Sequence, residues 1–142
     1  MISICFFSAV SKQNGKIAEI VLSKQFNLEL IGCYFSYIEL SKHKDKLLKA
    51  SKLSETELLE VMYQVLKRIN FINEDSISNE TFLKAFEMNH DIDEKDTVFV
   101  AMSKHLNYKI WSGDKLLVNG LRAKNFNDIL LTDELLDLLR NK

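Results

Sequence analysis

Asp91-Ile-Asp-Glu-Lys-Asp96-Thr-Val-Phe-Val-Ala-Met-Ser-Lys-His-Leu106 runs directly into Asn107-Tyr-Lys-Ile-Trp-Ser-Gly-Asp114-Lys-Leu-Leu117. Asp96 stands immediately before an apolar-rich stretch, Thr97 to Leu106, and so predicts a helix opened by an acid. The short apolar run at Tyr108 to Trp111, read as a strand through Ser112, ends just before Asp114. Acidic side chains are thus placed at two separate element ends, one a helix start and the other a strand end. Carboxylates brought from different element ends to one edge of a sheet are how an α/β fold holds a hard divalent cation. Metal-dependent phosphodiester chemistry is the expectation that follows.

The flanking sequence supplies the rest of an alternating pattern. Ile17, Ile20 and Val21 give helical spacing over Lys16 to Lys24, Leu28 to Ile31 reads as a short strand, and Ser36 to Ala50 returns to helix. Ser54 and Glu57 form a capping box for the next helix, with Leu53 and Leu58 in staple positions. That helix should end near Lys67 or Arg68, before a strand at Ile69 to Ile72. Ser78 starts another helix, with Ile77 and Phe82 as its staple. After Asp114, a helical or irregular Lys115 to Leu121 leads to a strand at Asp128 to Leu131. Thr132, Asp133 and Glu134 open a final helix, where acids suit the positive helix N-terminus. Strands alternating with helices predict an α/β three-layer sandwich, a central parallel sheet flanked by helices, in a single domain over residues 1–142. In such a sheet a ligand site lies beyond the carboxyl ends of the strands, where Asp114 falls.

Composition narrows the class. The chain has 142 residues, 46% hydrophobic and 27% charged, which suits a folded domain and excludes disorder as the default. No apolar run is long enough to span a membrane, and no basic segment precedes the apolar start, so neither membrane insertion nor secretion is expected. Cys5 and Cys33 lack both metal spacing and a disulfide pattern and read as core thiols in a reducing cytoplasm. Proline is absent and there are four glycines, so nothing divides the chain. Net charge is −1, yet bases cluster locally. Lys42, His43, Lys44, Lys46, Lys49 and Lys52 crowd one region, and Lys104, Lys109, Lys115, Arg122 and Lys124 flank the acids. Acids at a metal with bases around it suit an enzyme that cuts a polyanion, whereas the first group alone reads as a solvated helix face.

Asp93-Glu-Lys-Asp96-Thr-Val-Phe-Val-Ala101, Ile110-Trp-Ser-Gly-Asp114-Lys-Leu-Leu117, Tyr37-Ile-Glu39-Leu-Ser-Lys-His43 and Ile129-Leu-Leu-Thr132-Asp-Glu-Leu-Leu136 together resemble a PIN domain. This is a nuclease fold of bacterial and archaeal toxins and RNA-processing factors. The resemblance implies a Mg²⁺- or Mn²⁺-dependent endoribonuclease, with RNA as substrate. It also implies the toxin of a toxin–antitoxin pair, an antitoxin protein as partner, and a homodimer. It assigns catalytic roles to Glu39, Asp96 and Asp114, and metal ligation to the same three with Asp93 assisting from one turn before Asp96. The family also opens on a strand ending in Asp, and here no acid precedes Glu19. Phe6 to Val10 looks like the family's following helix, an alignment that leaves Ile2 at the Asp position and no room for a preceding strand. Three readings of this start follow. The chain has lost the first strand and its ligand, or it is a degenerate and catalytically inactive RNA- or protein-binding module, or Met1 to Phe7 is itself a strand without the Asp.

Each acid also has a plainer use. Asp96 by itself reads as an N-cap, Asp114 as a turn residue after Gly113, and Glu39 as a solvated helix acid; only their order along the chain favours a metal. Two carboxylates about 5 Å apart repel by roughly 3 kcal/mol at an effective dielectric of about 20, so clustered acids imply a cation. His43, His90 and His105 lack zinc or triad spacing, and Trp111 reads as core.

Overall fold

The computed structural model describes residues 2–6, 20, 23, 25–42, 45, 48–49 and 53–141, apart from the side chains of 2–6, 39 and 40. Five strands form one parallel sheet: β1 (Ile2–Phe6), β2 (Leu28–Cys33), β3 (Ile69–Ile72), β4 (Lys109–Trp111) and β5 (Ile129–Leu130), in the order β3-β2-β1-β4-β5. The helices with described bounds are α1 (Tyr34–Lys42), α2 (Glu55–Lys67), α3 (Asn79–Asp93), α4 (Thr97–Leu106), α5 (Lys115–Ala123) and α6 (Thr132–Arg140). Ile20 is helical too, but the rest of the helix expected over Lys16 to Lys24 lies outside the described residues.

Of the three readings of the chain's start, the structure agrees with the third, a strand without the Asp, and not with a lost first strand. The first strand is not missing: Ile2–Phe6 is the central strand, pairing with β2 from Ile2↔Leu28 and with β4 to Phe6↔Trp111. Ile2 therefore sits at the amino end of β1, opposite the edge where a ligand-bearing Asp would stand. What is absent is the acid, since no Asp or Glu occurs before Glu19. The physical reason is that Ile-Ser-Ile-Cys-Phe pairs with β2 on one side and β4 on the other, and that backbone pairing outweighs a short apolar run's local ambiguity.

Alternation along the strands builds two cores. Leu28, Leu30, Ile69 and Trp111 face α2 and α6 through Val65, Leu135, Leu136 and Leu139. Ile31, Cys33, Ile110 and Ile129 face the other way, toward Ala85 of α3, Phe99 to Met102 of α4 and Leu117, Val118 and Leu121 of α5. The sheet is thus covered on both faces, the expected three-layer sandwich. Local signals fix the helix starts. Ser54 Oγ accepts from the Glu57 N–H at 3.2 Å while Glu57 Oε1 accepts from Ser54 N–H at 3.1 Å, and Ser78 Oγ accepts from Thr81 N–H. Helix α1 begins at Tyr34, two residues earlier than expected, and α5 is a regular helix.

The strand order reverses at the centre. From β1 the chain builds outward to β2 and β3, then returns to the other side of β1 to add β4 and β5. The crevice beyond the carboxyl ends of β1 and β4 is therefore the switch point where α/β sheets bind ligands.

Candidate active site

Asp114 reaches that crevice from β4. The chain leaves the strand through Ser112, which is fully buried and whose Oγ accepts from the Asp114 N–H at 3.0 Å. Asp114 then caps α5: its Oδ1 accepts from Leu116 N–H at 3.0 Å and Leu117 N–H at 3.3 Å. The sequence offered it as a metal ligand or as a turn residue, so the capping role is a finding of the structure. The α5 N-terminus holds one carboxylate oxygen in place, while Ser112 fixes the Asp114 backbone N–H.

Asp96 arrives differently. The chain passes from α3 through a 3₁₀ turn, Glu94–Asp96, into α4. Asp96 occupies the N-cap position of α4 but makes no capping bond, because its backbone (φ −90, ψ 3) is not the extended form that lays a side chain over the first N–H groups. It is nevertheless only 6% exposed. The plain N-cap reading therefore fails for this residue. Asp93 is exposed and tied to its own backbone, accepting from the Lys95 N–H at 3.1 Å and so closing the 3₁₀ turn.

Glu39 falls within α1, which springs from the carboxyl end of β2, but its side chain lies outside the described residues. A further acid at this edge escaped the sequence reading. Glu74, just past β3, accepts through Oε2 from Phe35 N–H at 3.1 Å and so anchors the N-terminus of α1. An acid directly after a strand, at the sheet's carboxyl edge, is the signal that would have found it. Beside it, burial pushes the Cys33 thiol up from its ordinary range; the Ser36 hydroxyl, 3.4 Å away, opposes this and the Glu74 carboxylate adds to it.

Most of the flanking bases are engaged within the molecule. Lys109 pairs with Asp128 at 3.5 Å, and Arg122 pairs with Glu134 at 2.8 Å while also holding the Ile129 carbonyl. Lys124 binds Asp91 and the Met88 carbonyl, and Lys104 lies over the Phe126 ring. The hydrogen bond from Lys124 holds the Asp91 carboxyl below its usual range. Lys115 beside Asp114 and Lys95 beside Asp96 are exposed bases adjacent in sequence to the two acids.

A profile of the PIN domain family matches residues 5–134. This chain belongs to the PIN domain family. A solved structure described as VapBC2 from Rickettsia felis bound to a DNA fragment from their promoter shares the fold. Its TM-score is 0.52 at 12% identity, covering 92% of this chain and 97% of the other. No curated protein matches the chain. This PIN domain thus carries the family's sheet and brings Asp96 and Asp114 to the carboxyl edge. Among the described residues, no three His, Cys, Asp or Glu side chains group closely enough to hold a metal ion. The donors at hand fit a hard divalent cation in kind, being carboxylate oxygens, and a third would have to come from Glu39. No helix among the described residues is long and apolar enough to cross a membrane.

Proposed function

We propose that this PIN domain is a Mg²⁺- or Mn²⁺-dependent endoribonuclease, the cytoplasmic toxin of a toxin–antitoxin pair. Asp96 supports this best: a carboxylate nearly removed from water, at a helix start it does not cap, beside the switch point. Asp96, Asp114 and Glu39 would hold the ion, with Asp93 at the rim. The chemistry such an ion would supply, were it held by these carboxylates, is polarisation of the phosphodiester and a hydroxide at neutral pH. Asp114 would offer its outer oxygen because Oδ1 is fixed by the Leu116 and Leu117 N–H groups, and Ser112 steadies the backbone that carries the carboxylate. Lys115 would draw the polyanion to the edge. The neighbour's title names a VapBC2 assembly, and an antitoxin partner for this chain follows by that analogy. A homodimer belongs to the same reading.

A second reading has its own observation. Because β1 brings no acid to its carboxyl end, the domain would bind RNA or a protein without cutting. Incubating the protein with a single-stranded RNA and Mn²⁺ separates the two. Cleavage that EDTA stops and Asp96→Asn abolishes supports the nuclease. RNA retained in a gel shift, uncut and equally by Asp96→Asn, supports the binding module.

A further inference from the structure

Asn89 lies on α3, four residues before its end, and is completely buried. An amide is an uncommon occupant of such a position. Its Nδ2 donates to the carbonyl of Asp93, one of the groups that a helix end leaves without an intrahelical partner. Its Oδ1 has no hydrogen-bond partner among the described residues. Exchanging the two ends of the amide would set oxygen against oxygen, so the nitrogen belongs toward Asp93. A buried amide oxygen without a donor weakens the fold, and an apolar side chain of similar size would avoid that loss. The amide therefore acts on its Asp93 side.

That contact sits where the chain changes direction. At Asp93 the backbone becomes extended (φ −159, ψ 104), its side chain receives Lys95 N–H, and Thr97 N–H reaches back to the Glu94 carbonyl. The 3₁₀ turn so formed ends on the buried Asp96. We infer that Asn89 is a positioning residue: its amide clamps the Asp93 carbonyl and sets the turn that holds Asp96 at the carboxyl edge. The positioning stands on the hydrogen bonds; its effect on metal binding rests on the function proposed above.

The test replaces the amide with apolar side chains of similar volume, Asn89→Leu and Asn89→Met, and reads three quantities. Amide exchange at Lys95 and Thr97 should speed by about tenfold or more as the turn opens locally. The melting temperature should hold or rise, because a buried unpartnered oxygen is gone. Mn²⁺ affinity, by titration calorimetry, should fall by about 10–100-fold, as it does when the supports of a ligand are removed. Unchanged exchange at Lys95 and Thr97 in a folded variant overturns the inference, whatever the metal does. Faster exchange in a protein whose parent binds no Mn²⁺ upholds the positioning role and defeats the metal reading instead. Should both variants fail to fold, Asn89 belongs to the framework of the core and the inference is wrong.

Discussion

Replacing Asp114 by Asn and by Ala should separate its capping of α5 from the metal-ligand role proposed for it. In the structure one oxygen of this side chain takes two N–H groups of α5. Asn retains a carbonyl oxygen in the same place and caps about as well as Asp, losing only the attraction between charge and helix N-terminus, about 0.3–1 kcal/mol. Ala loses the cap as well, a further ~1 kcal/mol within a range of about 0.5–2. At about 3–4 °C per kcal/mol for a domain of this size, Asp114→Asn should melt about 1–3 °C below the parent and Asp114→Ala about 4–8 °C below it. Saturating Mn²⁺ adds the second axis: at 100 times its dissociation constant an ion stabilises the parent by about 2.7 kcal/mol, or roughly 8–10 °C. That gain should vanish in both variants. Scanning fluorimetry with and without 1 mM Mn²⁺, on the order of 100 dissociation constants for a ~10 µM site, measures all six values. A Mn²⁺ shift that survives in Asp114→Asn would refute the ligand role and leave Asp114 a helix cap alone.

Three further outcomes are expected. The Arg122 guanidinium, then the Leu131 N–H, hold the Glu134 carboxyl below its usual value of 4.5. A depressed folded value contributes stability that is present above pH 4.5 and lost as pH falls through the folded value. Arg122→Met should therefore flatten the acid limb of a melting-temperature profile taken below pH 5, the effect being small because Glu134's side chain is 41% exposed. Trp111, fully buried, donates through Nε1 to Thr132 Oγ1 at 3.0 Å; Trp111→Phe should cost about 2–3 kcal/mol, read by urea unfolding followed by circular dichroism. A Cβ at Gly120 would stand 2.8 Å from Ile92 Cδ1 and 3.0 Å from its Cγ1. Gly120→Ala gains about 1 kcal/mol of helix propensity but overpacks α5 against α3, so a net loss of about 1–2 kcal/mol is expected in the same assay.

What could be read from the sequence was what is local. Ser54 with Glu57, and Ser78 after Ile77, announce helices because donor and acceptor lie three residues apart. The alternation of β2, with Leu28 and Leu30 on one face and Ile31 and Cys33 on the other, follows from a two-residue period. The parts not legible are those decided at a distance. Ile2 to Phe6 alternates over five residues, too few to choose strand over helix, and pairing with both β2 and β4 makes it the central strand. Glu74 acts on a backbone N–H 39 residues away. The bases that looked ready for a polyanion are mostly paired within the molecule, at its surface, Lys124 across 33 residues to Asp91 and Lys109 across 19 to Asp128. Asp96 was placed at the right element end, but whether it caps depends on a backbone angle set by the 3₁₀ turn before it.

The acid missing from β1 changes the electrostatics of the edge more than its architecture. Two carboxylates about 5 Å apart repel by roughly 3 kcal/mol at an effective dielectric of about 20, and each added acid compounds that repulsion until a cation arrives. Here Glu74 is tied to the start of α1, Asp93 closes a turn and one oxygen of Asp114 is fixed by a helix. Each of those acids is stabilised by N–H groups rather than waiting for metal, which steadies the ion-free fold and lowers the drive to bind one. A PIN domain arranged this way should fold readily without a divalent ion and bind one less tightly than a site with an acid on its central strand. Metal affinity is then the quantity that decides between nuclease and binding module: micromolar Mn²⁺ binding would mean that Glu39 completes the set begun by Asp96 and Asp114. Affinity weaker than about millimolar, worth less than about 4.1 kcal/mol, would leave too little binding energy to orient a phosphodiester for attack.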